Sequence, residues 1–161
     1  MLSSLVVLVA GVALADATPS FPSRVPYAPL VDKLKAAGGD VARVLRPRSQ
    51  KELAPLASGK RYKMAVTADG QLVVAPLPAD APHNEYVHPI LAGGAPVLTA
   101  GGITVERAGD EIAKITLDED SKAYCPTLAS LAAAERALVR IGVPAAAIAR
   151  HDQPPRCEPS R

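Results

Sequence analysis

The chain has 161 residues and a formal net charge of +2; 48% of its residues are apolar, 3% are aromatic and none is Trp. This length suffices for one domain, and the shortage of aromatic residues means that Val, Leu, Ile and Ala must build its core. A net charge this close to zero argues against nucleic-acid binding driven by counterion release, so we expect no nucleic-acid partner.

The first fifteen residues have the pattern of an export signal. Residues 2–15 are apolar and uncharged, and they end in Ala13-Leu14-Ala15, a small-x-small pattern typical of signal-peptidase sites. The run is short for a membrane span and no basic flank follows it. We expect residues 1–15 to be a signal peptide, with a mature chain that starts at Asp16 in a periplasmic or extracellular location, outside the membrane. Because no Lys or Arg precedes the run, an uncleaved anchor is the alternative.

The two cysteines fit an oxidising compartment. Cys125 and Cys157 are an even count in a chain that is predicted to be exported, which favours a disulfide. The bridge would close a loop of about 32 residues and stabilise the fold by roughly 3–4 kcal/mol. A reactive thiol or a metal-binding pair is the alternative, but no CxxC spacing supports it.

The N-terminal half predicts an extended arm followed by short helices. Residues 16–29 contain four prolines, so we expect a linker there and a single domain over residues 30–161. A helix with one apolar face should follow and end at Gly38-Gly39. Asp40 can cap a second short helix, and Ser49-x-x-Glu52 has the spacing of a capping box.

Alternating apolar residues then predict two hairpins. Residues 62–67 and 71–75 flank Asp69-Gly70, a strong hairpin signal, and Pro76 and Pro78 should end the second strand. A strand that includes residues 97–105 should return through residues 112–117, where one step out of alternation suggests a bulge.

A C-terminal helix completes the predicted fold. Residues 127–141 place Leu131, Ala134, Leu138 and Ile141 on one face, and Gly142 should end the helix. The tail from His151 is expected to be a surface arm held by Cys157. The fold class is therefore α+β, with short N-terminal helices, a small sheet of antiparallel hairpins and a C-terminal helix packed on it.

Residues 62–148 also carry a series of short motifs in a fixed order. They resemble a small α+β domain with an SGHY motif, found in bacterial polymorphic-toxin-like proteins and in plant IQ-motif calmodulin-binding proteins. The matching segments are MAVTADG at 64–70, HPILAGGAPVLTAGGI at 88–103, Gly109 and Ile115 in the second hairpin, SKAYCP at 121–126, and Gly142-Val143 after the helix.

One departure weakens any catalytic reading of this resemblance. The Gly-His pair of the motif is replaced by Lys122-Ala123, so an acid–base or ligand role of that His would be lost here. The resemblance implies a fold and a secretion-linked or interaction setting rather than a reaction.

The resemblance would bring together His88, Ser121 and Tyr124. A Ser and a His are the start of a nucleophilic site, and Asp118 or Asp120 could supply the acid. Nothing in the sequence marks an oxyanion donor, and no G-x-S-x-G elbow occurs. We therefore expect His88 and Tyr124 to hydrogen-bond loops at the edge of the domain, and we regard all three residues as weak catalytic candidates.

Three further patterns predict structure rather than ligands. Gly93-Gly94 and Gly101-Gly102 lack the Lys-Ser/Thr of a P-loop, so turns or close packing are expected and no cofactor is implied. His83, Glu85 and His88 do not have the spacing of a metal site. Residues 118–120 read as a solvated acidic turn.

The densest basic stretch is interpreted as a solvated face, with an acidic partner or an anionic surface as the alternative. It comprises Arg43, Arg46, Arg48, Lys51, Lys60 and Arg61, and only Tyr62 at its edge could stack on a base.

The sequence leaves three hypotheses for function. The first is an exported, non-enzymatic accessory module that binds a protein partner, in a toxin- or secretion-associated setting. The second is a small hydrolase or transferase that uses Ser121 or His88. The third is a membrane-anchored structural protein of the cell envelope.

Overall fold

The computed structural model describes residues 19–153 and Cys157. The predicted signal peptide, residues 1–15, lies outside the described residues. The helices are α1 (Tyr27–Ala36), α2 (His88–Leu91) and α3 (Ala132–Arg140), and the strands are β1 (Arg61–Thr67), β2 (Leu72–Pro78), β3 (Val97–Ala108), β4 (Glu111–Asp118) and β5 (Ile148–Arg150). Single 3-10 turns cover Val41–Arg43, Gln50–Leu53, Leu128–Leu131 and Ala145–Ala147.

The five strands form one mixed sheet in the order β2-β1-β3-β4-β5. The first three pairings are antiparallel, and β5 runs parallel to β4. The predicted α+β class is confirmed. Sequence analysis missed β5, which is only three residues long and is held by pairing with residues 115–117 and by the bond from His151 N to Leu117 O at 2.7 Å.

Both predicted hairpins are present. At the first turn Gly70 has a φ of 83°, the left-handed conformation that glycine adopts without a steric cost. In the second hairpin Glu106 pairs with Lys114 and Arg107 with Ile112, so Ala113 is the extra residue of a bulge. Of the two predicted strand-ending prolines, Pro78 is the last residue of β2, whereas Pro76 does not end it, because an edge strand needs no N–H donor on its outer side.

The predicted helix signals are also found. The first helix, α1, begins at Tyr27, inside the segment that was predicted to be a linker, whereas the later helices are shorter than expected. Asp40 Oδ1 accepts a hydrogen bond from Ala42 N at 2.9 Å, but it caps a 3-10 turn rather than an α-helix. At the second capping site Glu52 accepts from the Ser49 hydroxyl and from Arg48 N, one residue earlier than a standard capping box. The C-terminal helix begins as a 3-10 turn and buries Leu131, Ala134 and Leu138 as predicted.

The middle of the sheet is buried on both faces. On one face Met64 and Val66 of β1 lie in a core cluster with Leu138 of α3. On the other face Ala65 of β1 lies in a second cluster with residues of α1 and α2 and the loops around them: Leu34, Val44, Tyr86, Ile90 and Leu91. Consecutive β1 side chains point to opposite faces, so one strand serves two cores that contain few aromatic residues.

The predicted disulfide is present and fastens the tail to the loop before α3. Cys125 and Cys157 are bonded, with their Cα atoms 5.9 Å apart and 32 residues between them in sequence. On the same loop Ala123 O accepts a hydrogen bond from Arg24 N at 2.8 Å, so the N-terminal arm is fastened there too.

Replacing both cysteines by serine should lower the free energy of unfolding by about 3 kcal/mol, because the unfolded chain regains the freedom of the closed loop. Urea unfolding with and without reductant measures this. Reductant should lower the stability of the wild type by a similar amount and leave that of the double variant unchanged. Equal urea midpoints for the wild type and the double variant, with and without reductant, would contradict a stabilising role of the bridge.

Gly101→Ala should destabilise the protein by about 3 kcal/mol, because a Cβ atom there would collide with the backbone of Asp118 and Glu119. Gly59→Ala is the matched control: it has open space around it, so only its positive φ of 73° costs energy, about 1 kcal/mol. Thermal and urea unfolding compare the two variants, and a smaller loss at position 101 than at position 59 would refute the close approach.

Candidate functional site

A polar cluster surrounds Gly101-Gly102, where β1, β3, β4 and α2 meet. Its centre is an ion pair: Arg61 donates from Nε to Asp118 Oδ2 at 2.7 Å and from Nη2 to Oδ1 at 2.6 Å. Asp118 Oδ1 also accepts from the backbone N–H groups of Gly102 at 2.9 Å and of Asp120 at 3.0 Å. The Asp118 carboxylate thus connects β1, β3 and β4 with the loop that follows β4.

The solvated acidic turn predicted for residues 118–120 is wrong for its first two residues. Asp118 and Glu119 are buried, with 6% and 2% of their surfaces exposed. Burial alone would raise the pKa of Asp118, but the Arg61 guanidinium and the N–H groups of Asp120 and Gly102 together outweigh it and hold the pKa below its ordinary value. The carboxylate therefore stays charged because a cation 57 residues away in sequence is bound to it.

His88 is a structural contact of this cluster. Its Nε2 lies 2.9 Å from Gly101 O, and because a carbonyl only accepts, Nε2 carries the proton and donates it. Burial lowers the pKa of His88 to about 4, so the ring is neutral at neutral pH. The bond therefore goes to the central strand β3 and not, as the sequence predicted, to a loop at the edge of the domain.

The other two weak catalytic candidates do not join His88 in a hydrogen-bonded site. Tyr124 donates its hydroxyl to Ala95 O at 2.9 Å, and burial raises its pKa to about 12. Ser121 Oγ is buried and has no hydrogen-bond partner among the described residues. A serine nucleophile needs a base within hydrogen-bond reach, and no hydrogen bond joins Ser121 to His88 in the described chain.

Lys63 is a member of this neighbourhood that sequence analysis missed. It lies two residues after Arg61 on β1, so both side chains are on the same face of the sheet. Burial lowers the pKa of Lys63, and its amine forms no hydrogen bond or salt bridge with any described residue. Arg61 and Lys63 alternate with buried Tyr62 and Met64, a pattern that could have indicated their shared face.

The patterns that were not expected to bind ligands have structural uses. His83 is exposed with a φ of 55°, Glu85 pairs with Lys33 at 3.0 Å, and His88 is bound to Gly101, so the three do not converge. Within residues 19–153 and Cys157, no three His, Cys, Asp or Glu side chains are grouped to hold a metal ion. Gly93 and Gly94, both with positive φ, form the turn after α2.

The basic stretch divides into paired and unpaired cations. Lys60 pairs with Asp80 at 3.2 Å and Arg61 pairs with Asp118, whereas the described salt bridges include neither Arg46 nor Arg48. We call residues 46–55 the basic segment. Three cavities border it. One of about 480 Å³ lies beside the β3–β4 hairpin, one of about 410 Å³ beside Leu45, and one of about 290 Å³ beside the end of α3.

Comparisons of the chain with models of protein families, with curated proteins and with solved structures found no match. No helix in the described part of the chain is long and apolar enough to span a membrane.

The free energy of unfolding should fall by up to about 3 kcal/mol through His88 as the pH drops from about 6.5 to 4. In this window the unfolded chain protonates the imidazole at its ordinary pKa, while the folded protein keeps it neutral. His88→Gln removes the titration but keeps a donor for Gly101, so its stability should depend less on pH.

Urea unfolding at pH 7, 5.5 and 4.5 measures the difference between the wild type and His88→Gln. His151→Gln is the control, because His151 is exposed and its removal should leave the pH dependence as in the wild type. Equal slopes for the wild type and His88→Gln would show that His88 is not held neutral by the fold.

Proposed function

We propose that this chain is an exported, non-enzymatic module that binds a protein partner through its basic segment. The observation that carries the proposal is the exposure of Arg46 and Arg48, outside the described salt bridges, with Arg46 on the lining of the 410 Å³ cavity and Arg48 on that of the 290 Å³ cavity. Charged side chains around concave surface favour recognition of a partner with complementary charge, and they speed its association.

The disulfide supports export. Disulfides persist mainly in oxidising compartments, and the Cys125–Cys157 bridge is compatible with a periplasmic or extracellular location. The apolar run at residues 2–15 supplies the predicted signal. The toxin- or secretion-associated setting rests on the resemblance of residues 62–148 alone and stays part of the proposal.

The geometry favours binding over catalysis by Ser121 and His88. His88 uses its N–H on Gly101 and Tyr124 uses its hydroxyl on Ala95, so two of the three candidate groups serve the backbone. Ser121 Oγ lies buried without a described base to activate it. The hypothesis of a membrane-anchored envelope protein depends on residues outside the described ones. The mass of the intact protein distinguishes it from export, because an anchored chain would keep residues 1–15.

Intact mass of the protein from its native exported fraction tests the export part of the proposal. We expect a chain that starts at Asp16 and that shows two alkylatable thiols only after reduction. A full-length chain with two free thiols in the membrane fraction would overturn export and would favour the anchored alternative.

Cross-linking and capture from the same fraction test the binding part. The wild type should retain a specific partner at micromolar concentration, and the charge reversal Arg48→Glu/Lys51→Glu should reduce its recovery at least tenfold. Lys35→Glu/Lys114→Glu is the matched control, because both lysines are exposed outside the basic segment, and recovery should stay within twofold. No specific partner for the wild type, or equal losses in both double variants, would overturn the proposal.

A further inference from the structure

The cavity of about 290 Å³ lies between the end of α3, the β1–β2 turn and the start of the basic segment. Two hydrogen bonds to backbone carbonyls connect its walls: Gln50 N donates to Ile141 O at 2.7 Å, and the Arg140 side chain donates from Nη1 to Gly70 O at 3.4 Å. These contacts place Arg140 of α3 and Arg48 of the basic segment on the lining of one cavity.

The two arginines of this cavity keep donor groups available for a ligand. Neither takes part in a described salt bridge, and the bond from Arg140 to Gly70 is long. At the turn Arg46 Nη1 donates to the uncharged Gln71 Oε1 at 3.2 Å, which adds a third guanidinium group near the cavity. A guanidinium group carries five N–H donors, so most of them are unused here.

The acids nearby are occupied by local contacts. Asp69, which lines the cavity, accepts a hydrogen bond from the Thr67 hydroxyl, and this bond lowers the pKa of Asp69. Glu52 accepts from Arg48 N at 3.1 Å and from the Ser49 hydroxyl at 3.3 Å. On the lining itself, the two guanidinium groups of Arg48 and Arg140 outnumber the one carboxylate of Asp69, so the cavity keeps a positive charge.

We propose that this cavity binds the side-chain carboxylate of an acidic residue of the protein partner, between Arg48 and Arg140; this inference rests on the proposed function. The planar fork of an arginine matches the two oxygens of a carboxylate. The lining also includes Leu72, Ala137 and Ile141, whose apolar atoms can pack against the methylene groups of a glutamate.

The size of the cavity favours one acidic residue over a polyanion. A volume of about 290 Å³ fits one side chain, and the described lining contains no aromatic residue on which a nucleobase could stack. The chain's net charge of +2 also provides little of the long-range attraction that a polyanion requires.

The binding test is an NMR titration of the full mature protein with the peptide Ac-Gly-Glu-Glu-Gly-NH2, and with its Gln-Gln analogue, at low salt. The glutamate peptide should shift the amide signals of Gly70, Gln71 and Ile141, and the glutamine peptide should not. Affinity should fall at least fivefold in Arg140→Gln and in Arg48→Gln. Arg43→Gln removes an equal charge from an exposed site outside the cavity lining and should change affinity less than twofold.

Three results would overturn the carboxylate site. They are equal shifts with both peptides, equal losses in Arg43→Gln and Arg140→Gln, and tighter binding of a sulfated disaccharide at the same amides. Because Arg48 and Arg140 are exposed, both variants should fold. One variant that melts at the same temperature as the wild type is enough for the comparison of affinities.

Capture experiments separate this inference from the proposed function. A partner retained equally by the wild type and by Arg140→Gln would overturn the cavity as the contact while leaving the binding module intact. A glutamate peptide that binds in the cavity, together with no partner in the exported fraction, would overturn the module while supporting the carboxylate site.

Discussion

The carboxylate of Asp118 organises the centre of this fold. Buried at the end of β4, it accepts hydrogen bonds from Arg61 of β1, from Gly102 of β3 and from Asp120 of the following loop. A buried charge is tolerated only when it is paired and hydrogen-bonded, so the Arg61 guanidinium must remain with it. This requirement sets how β1, β3 and β4 meet, and it directs the chain that leaves β4 across Gly101.

The surrounding structure adapts to that crossing. Only glycine fits at position 101 beneath the Asp118–Glu119 backbone, and the carbonyl of Gly101 is bound by His88 from α2. The same chain then reaches Ala123 and Cys125, where the N-terminal arm and the C-terminal tail attach. A core with few large side chains is thus supplemented by a buried polar cluster and a covalent bond.

The cations of the chain serve two purposes, and this division is the basis for assigning a binding surface. Lys33, Lys60, Arg61 and Arg150 form salt bridges within the fold. Arg48 and Arg140 are on the lining of a cavity without such partners, although α3 and the basic segment are far apart in sequence. Cations without an ion-pair partner among the described residues are suited to contact with another molecule.

The sequence by itself determined features that depend on neighbouring residues: the Asp69-Gly70 turn, a bulge within residues 112–117 and the apolar face of α3. Turn residues and repeats of two and of three to four residues encode these features locally. The disulfide was indicated differently, because the chain has only two cysteines to pair. The export signal and the resemblance of residues 62–148 remain predictions.

Only the tertiary structure decided which strands are neighbours, and with that the fate of the polar residues. Arg61 appeared to belong to a solvated basic face, and Asp118 to a solvated turn, until the sheet order placed them together. The short β5, the contact of His88 with Gly101 and the presence of Arg48 and Arg140 on the lining of one cavity have the same origin. Contacts across dozens of residues leave no local periodicity, because they depend on how complete elements pack.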